Sequence, residues 1–393
     1  MKSVMNHSFS QVPKAEIQRS SFDRSHGYKT TFNAGVLIPF LADEALPGDT
    51  FNVNATIFAR LATPLKPIMD NIFLETFFFA VPYRLVWDNW QRFNGEQKSP
   101  EDSTDFLVPV LEDSPVVNAE YGTLSDYFGI PVGVDGLQVN ALHHRAYNLI
   151  WNEWFRDQNL QEPRSVQTND GPDVPDGDRY PAYRGKRHDY FSSALPWPQK
   201  GPAVEVPIGG LAPVNGTGAP TFKSIDGTGV TGTIHTNTID AAQVFTSVTS
   251  TLPGNVDMEW LDPQLSADLS SATSITINQL RESFQIQKLY ERDARGGTRY
   301  IEVIKSHFGV TSPDSRLQRP EYLGGGSSMV NISPIAQTSG TASDPDTGYT
   351  PSPQGNLSAM GTVTAKGHGF TKSFTEHCLI IGMLSVRADL TYQ

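Results

Sequence analysis

Phe51-Asn52-Val53-Asn54-Ala55-Thr56-Ile57 places Phe51, Val53, Ala55 and Ile57 on one face of an extended chain and Asn52, Asn54 and Thr56 on the other. Side chains of a strand alternate between faces, so this pattern predicts a half-buried β-strand. Ile72 to Val81 carries bulky residues on both faces, as expected of a strand covered on two sides, and Pro82 ends it because it cannot donate to a ladder. Cys378 to Val386 is the most strand-like run in the chain. Ala34 to Leu41 is a further apolar run, interrupted by Pro39 and followed by the turn signal Pro47-Gly48-Asp49. Strand signals therefore sit near both ends of the sequence.

Between them lie two helical islands. Leu142, Ala146, Ile150 and Trp154 recur every four residues, with Tyr147 and Trp151 widening the stripe, which predicts a helix over Ala141 to Asn159. Thr276 and Gln279 have capping-box spacing, Glu291 stands four before Arg295, and Gly296-Gly297 supplies a stop, predicting a second helix from about Asn278 to Arg295. Residues 1–33 show neither period and read as an N-terminal arm. Segment 201–275, rich in Gly, Thr, Ser, Val and Pro, holds Lys223 against seven acids, a net of −6, and reads as an ordered β insertion projecting into solvent. Gly324 to Ala365 reads as a long polar surface loop. The domain reading is therefore 1–33 arm, 34–200 β core with a helical insertion, 201–275 insertion, and 276–393 further strands with a long polar loop at 324–365. Gln393 follows seven residues after Val386, and the expectation is a chain whose last part is missing.

The 393 residues suffice for two or three ordinary domains, or for one β core with large insertions. Gly and Pro, 33 and 28, are about 16 % of the chain, turn-rich but below the roughly 25–30 % of low-complexity disorder. A formal charge of −12 excludes a chain that binds nucleic acid by its overall field, so any such contact must be local. The single Cys378 excludes a disulfide framework and multi-cysteine metal sites. Met1 to Ser8 lacks an apolar signal region, and Phe77 to Val81 is far short of the roughly 18 residues of a membrane span.

Candidate chemistry is sparse. Cys378 beside His377 would point to the opposite face of a strand, so a buried small hydrophobe is the better reading than a thiol–imidazole pair. His143-His144 lacks metal-ligand spacing and reads as structural. Asp170 to Asp178 lacks the order of a calcium loop and reads as a solvated turn. Gly324-Gly325-Gly326 and Gly367-His368-Gly369 have no phosphate-loop frame. Tyr183-Arg184-Gly185-Lys186-Arg187-His188-Asp189-Tyr190-Phe191 is the one compact basic cluster, and it is flanked by aromatics. Phosphates ask for cations and unpaired bases for π faces, so Arg184, Lys186, Arg187 and Tyr190 are the candidate single-strand nucleic-acid contacts. A subunit contact or a solvated loop fits the same cluster.

Several longer blocks carry a resemblance. Ser21-Phe22-Asp23-Arg24-Ser25-His26-Gly27-Tyr28-Lys29-Thr30-Thr31-Phe32, Arg60 to Asn71, Val81-Pro82-Tyr83-Arg84-Leu85-Val86-Trp87, Ala146 to Asn152, Ala194 to Gly201 and Ser385 to Gln393 closely resemble the major capsid protein of gokushoviruses, single-stranded-DNA phages of the Microviridae. The resemblance implies a mainly β fold, a viral jelly roll: an eight-stranded antiparallel β-sandwich with long loop insertions and a few helices. It also implies a structural role with no catalysis and no cofactor, in a T=1 60-mer shell around circular single-stranded DNA. The implied partners are a small basic DNA-associated protein, a pilot or minor capsid protein, and a host surface receptor reached through 201–275 as a threefold protrusion. No membrane partner is implied, and the implied location is the virion, assembled in the bacterial cytoplasm. Trp87, Trp90 and Phe93 are then expected subunit contacts. Family members continue past Ser385 to Gln393, which supports the expectation of a missing end. The competing readings are a carbohydrate-binding β module and a β-sandwich glycosidase with paired carboxylates.

Overall fold

The computed structural model describes residues 18–64, 68–103, 105–111, 120–134, 136–174, 179–185, 187, 189–205, 213–216, 221–224, 231–239, 242–247, 258–261, 265–268, 275–338, 354–389 and 391. The chain divides into two units, Met1–Ala194 with Val310–Gln393, and Leu195–Gly309.

The first unit is an antiparallel sandwich. Its four-stranded sheet has the order β1 (Ile38–Ala45), β13 (Cys378–Ala388), β3 (Ile72–Pro82) and β10 (Glu321–Met329). The second sheet has the order β11 (Asn331–Ala336), β12 (Leu357–Ser373) and β2 (Thr50–Arg60). β2 alternates between half-buried and exposed positions along its whole length, as the Phe51–Ile57 pattern predicts. Its inward Phe51, Val53 and Ala55 pack with Phe78, Ala80, Phe370, Phe374, Cys378 and Ile380, and Ile57 and Ala59 join Leu74, Val363, Leu384 and Val386. Fully burying a Leu, Ile or Phe such as Leu74, Ile380 or Phe78 is worth roughly 1.5–3 kcal/mol, so this filling of the sandwich dominates its stability. β1 tolerates Pro39 because it is an edge strand with a bulge at Pro39/Leu41.

β3 and β13 are buried on both faces, which explains their unbroken apolar runs. Their outer face carries a third layer. After the one-turn helices α1 (Trp90–Phe93) and α2 (Leu124–Tyr127), helix α3 (Leu142–Ile150) continues as a π-turn, Trp151–Phe155, and lays Tyr147, Ile150, Trp151, Trp154 and Phe155 on Phe79, Val81, Leu379 and Ile381. The predicted helix thus ends at Phe155 rather than Asn159. Arg145, on the same helix, donates twice to Asp173 at 2.6 Å and also reaches the Val86 and Asn169 carbonyls.

The polar loop expected at 324–365 is corrected: 324–329 belong to β10, 331–336 form β11, and 357–365 lie in β12. Residues 339–353 are outside the described ones. Gly325 and Gly326 serve close approach, not turning. A Cβ on Gly325 would stand 2.0 Å from the Thr76 carbonyl oxygen, and one on Gly326 2.5 Å from the His368 ring. His368 in turn hydrogen-bonds Thr76 Oγ1 at 2.9 Å and Ser328 Oγ at 3.1 Å, tying β12 to β3 and β10.

The second unit is wider than the compositional segment 201–275 and does not continue the sandwich strands at 276. Strands β4 (Val214–Gly216) and β9 (Leu265–Ala267) pair, and β5 (Thr221–Ser224), β6 (Thr231–Ile239), β7 (Ala242–Ser247) and β8 (Met258–Leu261) form a sheet of order β7-β6-β5-β8. Helix α4 (Ile277–Arg295) opens on the predicted Thr276/Gln279 capping box. A second helix in this unit, α5 (Tyr300–Phe308), closes on Gly309 in the left-handed region and was not foreseen.

Candidate functional site

Glu75 is the only carboxylate of β3. An ion buried without a partner costs several kcal/mol, so a covered strand keeps one only where cations meet it. Three do. Arg387, on β13, donates from Nε and Nη2 to both Glu75 oxygens at 2.8 Å. Arg184 donates to Oε2, with its guanidinium 4.8 Å from the Phe77 ring centroid and 5.7 Å from that of Phe155. Arg187 lies 3.6 Å from Glu75 and 3.9 Å from Asp389. Burial alone would push the Glu75 pKa up, but hydrogen bonds from Arg387 and Arg184 outweigh it and hold the group at about 2.

This geometry redistributes the expected nucleic-acid contacts. Arg184 is mostly buried and committed to Glu75 and two rings, so it is a structural group rather than a free phosphate ligand, a correction to its sequence reading. Its buried acid partner lies 109 residues away, beyond the reach of a local reading. Arg187 has its side chain 65 % exposed, and Tyr190 is 90 % exposed. Lys186 lies outside the described residues. Glu75 and Arg387 were missed. Their signal was a lone acid inside an apolar strand, which must have a cationic partner.

The aromatic segment divides in the same way. Trp87 is fully buried and its Nε1 donates to Asp170 at 2.7 Å, so the expected subunit contact at this residue is corrected to a core role. Its indole packs in the same cluster as Phe79 and Val81 of β3, to which the short turn after the strand, Tyr83–Leu85 with its cap Val86, also contributes Tyr83 and Val86. Trp90 is half-buried and stacks on Tyr83, with centroids 4.1 Å apart and His377 edge-on at 5.3 Å. Phe93 is 38 % exposed. A cavity of about 400 Å³ opens here between Arg84, Trp90, Gln91, Asn94, Glu96, Glu376 and His377. Large apolar side chains are also exposed at Phe22, Phe58, Met69, Leu107 and Tyr121.

The remaining candidates are structural. Cys378 is buried, and burial pushes its thiol up to about 12, which leaves it unreactive. His144 is buried against Ser125 and Phe128, and burial holds it down at about 3, a neutral imidazole at any physiological pH. The turn read at Asp170 to Asp178 is not simply solvated, since Asp173 is buried against Arg145. Among the described residues no three His, Cys, Asp or Glu side chains converge as a metal site, and no helix is long and apolar enough to cross a membrane.

A family model described as capsid protein, F protein, matches residues 10–393. The chain is 48 % identical to capsid protein VP1 of Bdellovibrio phage phiMH2K, over 98 % of this chain and 72 % of that protein. It is 40 % identical to capsid protein VP1 of Chlamydia phage 1, over all of this chain and 75 % of that one. Capsid protein VP1 of Spiroplasma virus 4 is 36 % identical over 98 % of this chain and 72 % of its own length.

Proposed function

The chain belongs to the F-type capsid protein family of Microviridae phages and is a capsid structural protein, and from that premise we propose that it forms a T=1 icosahedral shell of sixty copies around circular single-stranded DNA. The observation that carries the reading is the family match along nearly the whole chain to an antiparallel sandwich of order β1-β13-β3-β10 facing β11-β12-β2. Obligate assemblies bury about 2,000–5,000 Å² per interface. The exposed Phe22, Phe58, Met69, Leu107 and Tyr121, with Trp90 and Phe93, supply apolar area for such contacts. The subunit performs no catalysis and takes no cofactor; its work is self-association.

Residues 1–33 act as an arm, the sandwich as the shell wall, and 201–275 as a threefold protrusion that meets a host surface receptor. A net charge of −12 leaves most of the genome's charge to a small basic virion protein and to cations, with local help from Arg187. A pilot or minor capsid protein completes the particle, which assembles in the bacterial cytoplasm. Sedimentation of the expressed 393-residue chain with nuclease-protected DNA tests the reading. A large shell enclosing single-stranded DNA is expected. A monomer of 43.2 kDa that binds or hydrolyses glycans, with no shell at any concentration, overturns it.

A further inference from the structure

Among the described residues around Glu75 the cations outnumber the acids. Arg184, Arg187 and Arg387 face Glu75 and Asp389, a net of +1. Arg184 and Arg387 are fixed by hydrogen bonds to the buried carboxylate, whereas Arg187 touches Glu75 and Asp389 only at 3.6 and 3.9 Å, beyond hydrogen-bond length, with its guanidinium in solvent. The crowding is felt within the cluster. The Arg184 pKa is lowered, first by burial and, against the pull of Glu75, by Arg387 and Arg187. An anion added at Arg187 relieves that repulsion.

The described residues on either side of Arg187 are anchored. Arg184 anchors it to β3 through Glu75, its amide donates to the Gly35 carbonyl at 2.9 Å, and Ser192 Oγ donates to the Arg187 carbonyl at 3.1 Å. Asp189 turns its carboxylate onto the Phe191 and Ser192 amides at 3.0 and 2.6 Å, and so shapes the turn that presents Tyr190. Tyr190 is 90 % exposed and meets Phe191 edge-on at 5.3 Å. An exposed guanidinium on a backbone held at its carbonyl, three residues from an exposed ring, matches one phosphate and one neighbouring unpaired base.

We infer that Arg187 binds a backbone phosphate of single-stranded nucleic acid while Tyr190 stacks on an adjacent base, and that Glu75 and Arg387 are positioning residues that hold this segment on the sheet. The inference rests on the genome-enclosing reading above and assigns to it a site with a different membership from the local basic cluster. Arg184 belongs to the support, and β3 and β13 supply it.

The test is binding of a fluorescein-labelled oligothymidylate to the full chain, followed by anisotropy across a salt series. Arg187→Gln, an exposed change that leaves the fold intact, is expected to weaken binding several-fold and to shrink the slope of log K against log salt by about 0.7, one phosphate's worth. Tyr190→Ala is expected to weaken binding roughly tenfold with the slope kept. Glu75→Gln, measured below its melting transition, is expected to weaken binding with no further loss when Arg187→Gln is added. Wild-type affinity and slope in Arg187→Gln overturn the site, and additive losses overturn the positioning role of Glu75. Inorganic phosphate displacing the labelled probe as well as unlabelled oligothymidylate does, at equal ionic strength, reduces it to a plain anion site and overturns the nucleic-acid assignment. Shell formation, scored separately by sedimentation, reports on the capsid reading and is expected to survive Arg187→Gln.

Discussion

Glu75 makes acid stability a single-residue question. Its carboxylate titrates near 4.5 when unpaired and at about 2 in the fold, because hydrogen bonds from Arg387 and Arg184 overcome the opposing effect of burial. A depressed folded-state pKa contributes stability that is complete above the unfolded value and is lost as pH falls through the folded one. Between about pH 4.5 and 2 the wild-type protein should therefore lose stability progressively at this site. Glu75→Gln should flatten that part of the curve while lowering stability at neutral pH by about 3–5 kcal/mol, since three guanidiniums would face a neutral amide. Urea melts from pH 2 to 7 check both; a variant with the wild-type slope would mean that the group does not govern acid unfolding. The sequence showed the basic half of this site, Arg184 and Arg187, in one compact cluster. It hid the acidic half, because Glu75 reaches them only through the β3–β13 ladder and the loop lying over it.

At the level of elements, alternation was the readable signal and glycine the misleading one. Phe51–Ile57 announces β2 because one of its faces meets solvent, and Ile72–Val81 announces β3 because neither does. The capping box of α4 was equally plain. Glycine runs instead resemble turns, although Gly325 in β10 and Gly369 in β12 mark places where two backbones approach. A Cβ on Gly369 would lie 1.9 Å from the Val53 carbonyl oxygen, in the middle of the β12–β2 ladder. A methyl there cannot be accommodated without parting the strands. Gly369→Ala is accordingly expected to cost more than about 3 kcal/mol, at or beyond the upper end of ordinary overpacking. Gly355 offers the contrast, with open space around its Cβ position and a φ of +82°. Gly355→Ala should cost only about 1–2 kcal/mol, the intrinsic penalty of a left-handed alanine. Thermal melts of the two variants should rank them in that order, and equal losses would remove the close-approach account of these glycines.

On the scale of the whole chain, composition located the second unit but misjudged its extent. The acidic, Gly- and Thr-rich character of 201–275 is distinctive, whereas α4 and α5 have ordinary helical composition and gave no sign of belonging with it. The difference matters for charge. Segment 201–275 alone has a net charge of −6, but Leu195–Gly309 carries eight bases against eleven acids, a net of −3, leaving −9 on the sandwich unit. The acidity is therefore a property of the sandwich unit as much as of the insertion, and any cationic patch on that unit must be as local as Arg187. The three hydrophobic clusters described for the chain contain no residue from 195–309. A unit with its own apolar filling folds without its neighbour. Replacing 195–309 by a flexible Gly/Ser linker should thus leave the sandwich with one cooperative thermal transition, its midpoint within a few degrees of the parent's corresponding transition, equivalent to about 1–2 kcal/mol. Because Trp87 and Trp151 are buried in that sandwich, their near-ultraviolet dichroism should persist in the excised protein. Loss of that signal at 25 °C would show that the sandwich draws stability from the second unit and does not fold on its own apolar filling.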